Sequence, residues 1–122
     1  MIGIDLIKIS RMKGFMERFG EKALSRFLLP SEVELIKNHK TASGFWAAKE
    51  ACAKALGVGI SSECGFYDMQ IYKTENGAPK LKVSDKLLKK FAILDISLSI
   101  THDGDYAIAV VAIESASAYK IK

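Results

Sequence analysis

Tyr106-Ala107-Ile108-Ala109-Val110-Val111-Ala112-Ile113 runs eight residues without a charge and carries four β-branched side chains. It reads as a strand that is apolar on both faces. A strand with one wet face would alternate apolar and polar positions, so both sides of this one need cover. Helices of the same chain or another subunit must supply it. The stretch therefore predicts an α+β domain, and it predicts an oligomer.

Working outward, a strand over 95–101 joins a strand over 105–113 through His102-Asp103-Gly104, a tight connection. Ser84 can cap a basic helix over 85–92. A strand over 66–72 turns at Asn76-Gly77, a hairpin signal, into a return strand over 80–83. At the other end of the chain, residues 1–9 read as a strand. Ser10 is placed to cap a helix with Met12, Phe15, Met16 and Phe19 on its apolar face, closed by Gly20. A short helix over 21–28 ends at Leu29-Pro30. Ser31-Glu32-Val33-Glu34 has capping-box spacing for another short helix, through about Asn38. The longest helix should span 43–56, with Gly57 at its C-terminal boundary, and His39 should end the helix before it. The expected architecture is a single α+β domain over 1–122: a small, mostly antiparallel sheet against one long helix and several short ones.

At 122 residues the chain has room for one core but not two. A hydrophobic content of 49% with 26% charged residues fits a globular protein and excludes a disordered chain. No apolar run approaches the ~20 residues of a membrane span. Asp5 and Lys8 interrupt the N-terminal apolar run, so it lacks a signal-peptide pattern. Cys52 and Cys64 have no metal-ligand spacing, and Cys52 falls in a helical pattern as a buried thiol; a reducing, cytoplasmic setting is expected. The net charge of +4, with local clusters over 11–18 and 86–90, suits an anionic partner without selecting one.

Two carboxylates raise the question of chemistry. Asp5 sits inside Met1-Ile2-Gly3-Ile4-Asp5-Leu6-Ile7, where desolvation is costly unless a cation or hydrogen-bond donors meet it. Glu50 lies in Trp46-Ala47-Ala48-Lys49-Glu50-Ala51-Cys52-Ala53-Lys54, four residues from Lys54 and so on one helical face with it. Alone, that pair is a surface ion pair worth ~0.3–0.5 kcal/mol. The surrounding alanines, however, let a backbone or ligand approach closely. His102 stands at a strand end with Asp103 and Asp105 near it in sequence. Two oxygen ligands in a shallow site suit Mg²⁺, which keeps several waters and completes its shell with substrate phosphates. A lysine beside them would neutralise phosphate charge. This is phosphoryl-transfer equipment without a P-loop or kinase glycine pattern.

Read in order, Gly3-Ile4-Asp5-Leu6, Trp46 through Lys54, Gly57-Val58-Gly59-Ile60, Asn76-Gly77-Ala78-Pro79 and Ser97-Leu98-Ser99-Ile100-Thr101-His102 resemble the 4′-phosphopantetheinyl transferases. Length and motif order look like the short, single-domain holo-acyl-carrier-protein synthase type. The likeness spans nearly the whole chain, and its specificity lies in the combination of motifs. Trp46 stands where the family usually has Phe, a change that bears on packing more than on chemistry. The resemblance implies transfer of 4′-phosphopantetheine from coenzyme A to a serine of apo acyl carrier protein. The products are holo carrier protein, which serves fatty acid biosynthesis, and adenosine 3′,5′-bisphosphate.

Carried over, Asp5 and Glu50 become Mg²⁺ ligands, and Lys54 stabilises charge on the coenzyme A pyrophosphate. Thr101 and His102 hold a phosphate or the nucleotide end, and the backbone at Gly57 contacts the cofactor. Arg11 and Arg18, seven apart on one helical face, match positions that dock the acidic carrier protein; by spacing alone they equally fit a solvated face. The family also implies a homotrimer. Its shared cleft would take Asp5 and Glu50 from one chain and the docking residues from another. The general base stays open between a metal-bound or ordered water and Glu50 acting through water.

Two readings from other classes compete. A nucleic-acid-binding module would need a clustered basic stripe with exposed aromatics, whereas Phe15, Phe19, Phe45 and Trp46 fall at apolar helix positions. A non-catalytic nucleotide-binding regulator would not require Asp5 and Glu50 together. The expected partners are therefore apo acyl carrier protein and the chain itself, with no nucleic acid and no membrane.

Overall fold

The computed structural model describes residues 1–116. β1 (Ile2–Lys8) leads into α1 (Ile9–Phe19), α2 (Glu21–Ser25), α3 (Pro30–Val33) and the long α4 (His39–Ala55). A hairpin follows, β2 (Met69–Lys73) and β3 (Pro79–Val83), then α5 (Asp85–Lys90), β4 (Ile93–Asp103) and β5 (Tyr106–Ser115). The strands form two antiparallel sheets, β1-β5-β4 and β2-β3, where the sequence led us to expect one. The turn at Thr74–Gly77 closes the hairpin on itself, and α5 intervenes before β4.

The strand over 106–113 lies at the centre of its sheet, between β1 and β4. Its inward residues Ala107, Ala109, Val111 and Ile113 are buried beneath α4. Its outward residues pair with those of β1: Ile2 with Ala112, Ile4 with Val110, Leu6 with Ile108. Ile2, Ile4 and Leu6 are 72%, 59% and 56% exposed, so the described residues cover only one of the two apolar faces.

Several boundaries moved for local reasons. α4 begins at His39 because Asn38 is its cap, accepting a hydrogen bond from the Thr41 N–H at 3.1 Å. His39 thus opens the long helix and does not end the one before it. Ser10 is not the cap of α1. Its N–H and hydroxyl instead donate to the Asp105 carboxylate at 2.9 and 2.5 Å, tying the start of α1 to the β4–β5 turn. The capping carboxylate of α3 is Glu32, which accepts from the Leu29 N–H at 2.7 Å, and not Glu34. Residues 66–68 form one turn of 3₁₀ helix ahead of β2. Ser84 does cap α5, accepting from the Leu87 N–H.

Candidate active site

Gly3 positions the site. A Cβ at Gly3 would lie 1.9 Å from the Ala51 carbonyl oxygen and 2.6 Å from the Ala55 nitrogen, so α4 rests directly on the β1 backbone. Glycine on the strand and alanine on the helix allow that approach. Two residues further along β1, Asp5 projects to the same side and meets the C-terminal half of α4.

There Lys54 Nζ donates to Asp5 Oδ1 at 2.9 Å and to the Ile4 carbonyl at 3.2 Å. The sequence suggested that Lys54 would pair with Glu50; the structure gives it to Asp5. Glu50 has no hydrogen-bond or ion-pair partner among the described residues. Burial pushes its carboxyl above the ordinary value, the neighbouring Asp5 pushes it further, and Lys54 only partly offsets both. Asp5, Glu50, Lys54 and Arg11 share one cavity of about 430 Å³ with apolar walls that include Met12, Phe15 and Trp46.

This donor set fits Mg²⁺. It offers two carboxylates, one of them without a hydrogen-bond or ion-pair partner, and no third His, Cys, Asp or Glu joins them among the described residues. A hard cation that keeps most of its shell for water and phosphate needs no more, whereas zinc would call for additional nitrogen or sulfur ligands.

Lys49 was missed as a structural residue. It and Glu32 are fully buried and form a 2.7 Å salt bridge. The ammonium also donates to the Phe27 and Phe66 carbonyls at 2.8 and 3.1 Å, so all three of its donors are used. Glu32 accepts in addition from the Leu29 and Ile71 N–H groups. Burial pulls the lysine below its ordinary pKa while Glu32 holds it up. The pair ties α4, α3, β2 and the 66–68 turn together. Spacing carried a signal: Lys49 lies four residues after Phe45 and three before Cys52, on the buried face. Trp46, one turn before Glu50, packs edge-on to Phe27 with ring centroids 5.1 Å apart and tilted against Phe66 at 5.0 Å. The larger aromatic is thus absorbed by packing.

The other expected residues lie apart. His102 is near the N-terminal end of α4, its Nε2–H donating to the Lys40 carbonyl at 3.0 Å; a carbonyl can only accept, so Nε2 carries the proton. It lines a second, smaller cavity of about 200 Å³ with Thr41, Gly44, Lys73 and Pro79. Pro79 and His102, from two separate sequence motifs, therefore meet there. Gly44 to Glu50 is six residues, about 9 Å along the helix. Thr101 is exposed on the outer sheet face, and Gly57 (φ 80°) ends α4 in the left-handed region facing open space. Neither lines the Asp5–Glu50 cavity. Arg18 is also outside it, with its guanidinium 5.1 Å from the Phe19 ring centroid and Arg26 over the same ring at 4.1 Å. Arg11 lines this cavity in the same chain as Asp5 and Glu50.

Comparison with known proteins identifies the family. Residues 1–111 match the model of the 4′-phosphopantetheinyl transferase superfamily. A holo-[acyl-carrier-protein] synthase of Sulfurimonas denitrificans is 68% identical over 121 residues, covering 99% of this chain and all of that protein. The crystal structure of the Helicobacter pylori holo-[acyl-carrier-protein] synthase in complex with coenzyme A superposes with a TM-score of 0.90 at 44% identity, covering 93% of this chain and 100% of the other. A Bacillus anthracis holo-(acyl-carrier-protein) synthase in complex with CoA (3′,5′-ADP) gives 0.78 at 32% identity, covering 94% and 96%. With the family model spanning nearly all of its described residues, the chain belongs to the 4′-phosphopantetheinyl transferase superfamily.

Proposed function

We propose that the Asp5–Glu50–Lys54 cavity is where 4′-phosphopantetheine passes from coenzyme A to a serine of apo acyl carrier protein, releasing adenosine 3′,5′-bisphosphate. The observation that carries this reading is the unpartnered Glu50 beside the Lys54-clamped Asp5. Asp5 and Glu50 would hold Mg²⁺, which would supply neutralisation of phosphate charge. Lys54, fixed by Asp5 and the Ile4 carbonyl, presents its charge to the leaving phosphate. Met12, Phe15 and Trp46 give the cavity an apolar wall on one side. Coenzyme A turnover with apo carrier protein, measured with and without Mg²⁺, tests the assignment; Mg²⁺-independent turnover would refute the metal role.

The assembly is a homotrimer whose subunits cover one another's outer sheet faces. Ile2, Ile4 and Leu6 beside Ile108 and Val110 form an apolar surface of a kind that soluble monomers rarely leave open. Symmetry alone favours a dimer; the number three comes from the family likeness. In this arrangement the His102 end of one chain, with Thr101, reaches the nucleotide of coenzyme A bound at the neighbour's Asp5 and Glu50, and the backbone at Gly57 adds contacts to the same cofactor. Arg11 and Arg18 lead from the cavity along α1 and dock the acidic carrier protein. The buried free thiols Cys52 and Cys64 suit the reducing cytoplasm, and the holo carrier protein serves fatty acid biosynthesis. Sedimentation at micromolar concentration tests the assembly, and a fully active monomer would exclude it.

A further inference from the structure

Four charged side chains line the cavity, and their pairing is uneven. Lys54 and Asp5 satisfy each other at 2.9 Å. Glu50 and Arg11 have no side-chain partner among the described residues, although both line the same space. Together the four carry no net charge, so the cavity is not simply an acidic pocket. One unpartnered carboxylate calls for a cation, and one unpartnered guanidinium calls for an anion. A ligand that brings both at once is a metal-bound polyphosphate. Guanidinium suits this better than ammonium because its planar donor fork grips two phosphate oxygens together. With Mg²⁺ at the carboxylates, the cavity would carry two positive charges opposite the two negative charges of a pyrophosphate diester.

We infer that Arg11 contacts the pyrophosphate oxygens of coenzyme A, in addition to its place at the edge of the carrier-docking face. This rests on the coenzyme A reading above and assigns a donor-binding role to a residue otherwise taken as a docking contact. Arg11 then stabilises charge as the bond between the transferred phosphorus and its bridging oxygen lengthens. The electron pair leaves on the adenosine 3′,5′-bisphosphate oxygen, while the serine oxygen forms the new bond and its proton passes to solvent.

Calorimetric titration of coenzyme A into the enzyme with Mg²⁺, in the absence of carrier protein, isolates this contact. Arg11→Gln should weaken coenzyme A binding by about tenfold or more, the loss of one charge-assisted contact, and Arg11→Lys by less. Lys13→Gln removes the same charge from the same helix outside the cavity and should leave affinity unchanged. Arg11 is exposed, so the fold should survive, which melting temperature verifies. If wild-type enzyme binds coenzyme A and Arg11→Gln binds equally well while its KM for carrier protein rises, Arg11 is a docking residue alone and the inference is overturned. If wild-type enzyme does not bind coenzyme A, the donor assignment itself fails.

Discussion

Substituting Gly3 with alanine perturbs the site without touching any charged residue. The new methyl would meet the Ala51 oxygen at 1.9 Å and the Ala55 nitrogen at 2.6 Å, both backbone atoms that no rotamer change can move. Contacts below 3.0 Å do not persist, so β1 and α4 must separate by roughly 1 Å in a closely packed interior. Overpacking of this kind costs ~1–3 kcal/mol, and the rigid partners favour the upper end. The separation also opens the 2.9 Å Lys54–Asp5 contact and moves Asp5 from Glu50. A displacement on the order of 1 Å can lower turnover by ~10²-fold. Urea denaturation and carrier-protein loading kinetics measure the two effects. Gly14→Ala is the control: Gly14 sits within α1 with nothing within 4 Å of its virtual Cβ. That change should stabilise by ~0.4–1 kcal/mol. A Gly3→Ala protein with wild-type denaturation midpoint and kcat would refute the claim that close β1–α4 contact builds the site.

Lys49→Met should destabilise by ~3–5 kcal/mol because it leaves the Glu32 carboxylate buried without its cation. Pairing it with Glu32→Gln should recover part of the loss in the same denaturation assay, and no recovery would contradict the pair. Cys52 and Cys64 should resist thiol reagents at pH 8 in the native state and react on unfolding. Burial and the nearby Cys64 push Cys52 up to about 12; burial and Asp68, against Lys86, push Cys64 up to about 11. Mixed oligomers of Asp5→Ala and His102→Ala subunits should regain activity that neither variant has alone, because the proposed shared site takes those residues from different chains. Mixtures of Asp5→Ala with Arg11→Glu should not, because both residues line one chain's cavity.

Residues whose patterns are local were legible in the sequence. The 106–113 strand, the Asn76-Gly77 turn and the Ser84 cap all announce themselves within a few residues. Asp5 and Glu50 stood out because a carboxylate in an apolar strand and one on an alanine-rich helix each need an explanation, and the structure puts both in one cavity. What stayed hidden depends on distant partners. Adjacent charges at Lys49 and Glu50 look alike in sequence, yet a 100° step around the helix sends one into the core and the other into the cavity. Lys54 chose Asp5, 49 residues away, over Glu50 on its own face. Asp105 took over the start of α1 from the β4–β5 turn, where helix periodicity gives no hint. The division into two sheets, and the placement of His102 near the N-terminal end of α4, depend on long-range pairing that no local pattern announces.

The central claim is that Asp5 and Glu50 hold the metal that makes phosphopantetheine transfer possible. Intact-mass measurement of apo acyl carrier protein after incubation with coenzyme A, Mg²⁺ and either wild-type or Glu50→Ala enzyme tests it most directly. The account predicts that wild-type enzyme adds one phosphopantetheine per carrier protein, and that Glu50→Ala, with an unchanged melting temperature, adds none at low millimolar Mg²⁺. Near-normal loading by Glu50→Ala under those conditions would contradict it.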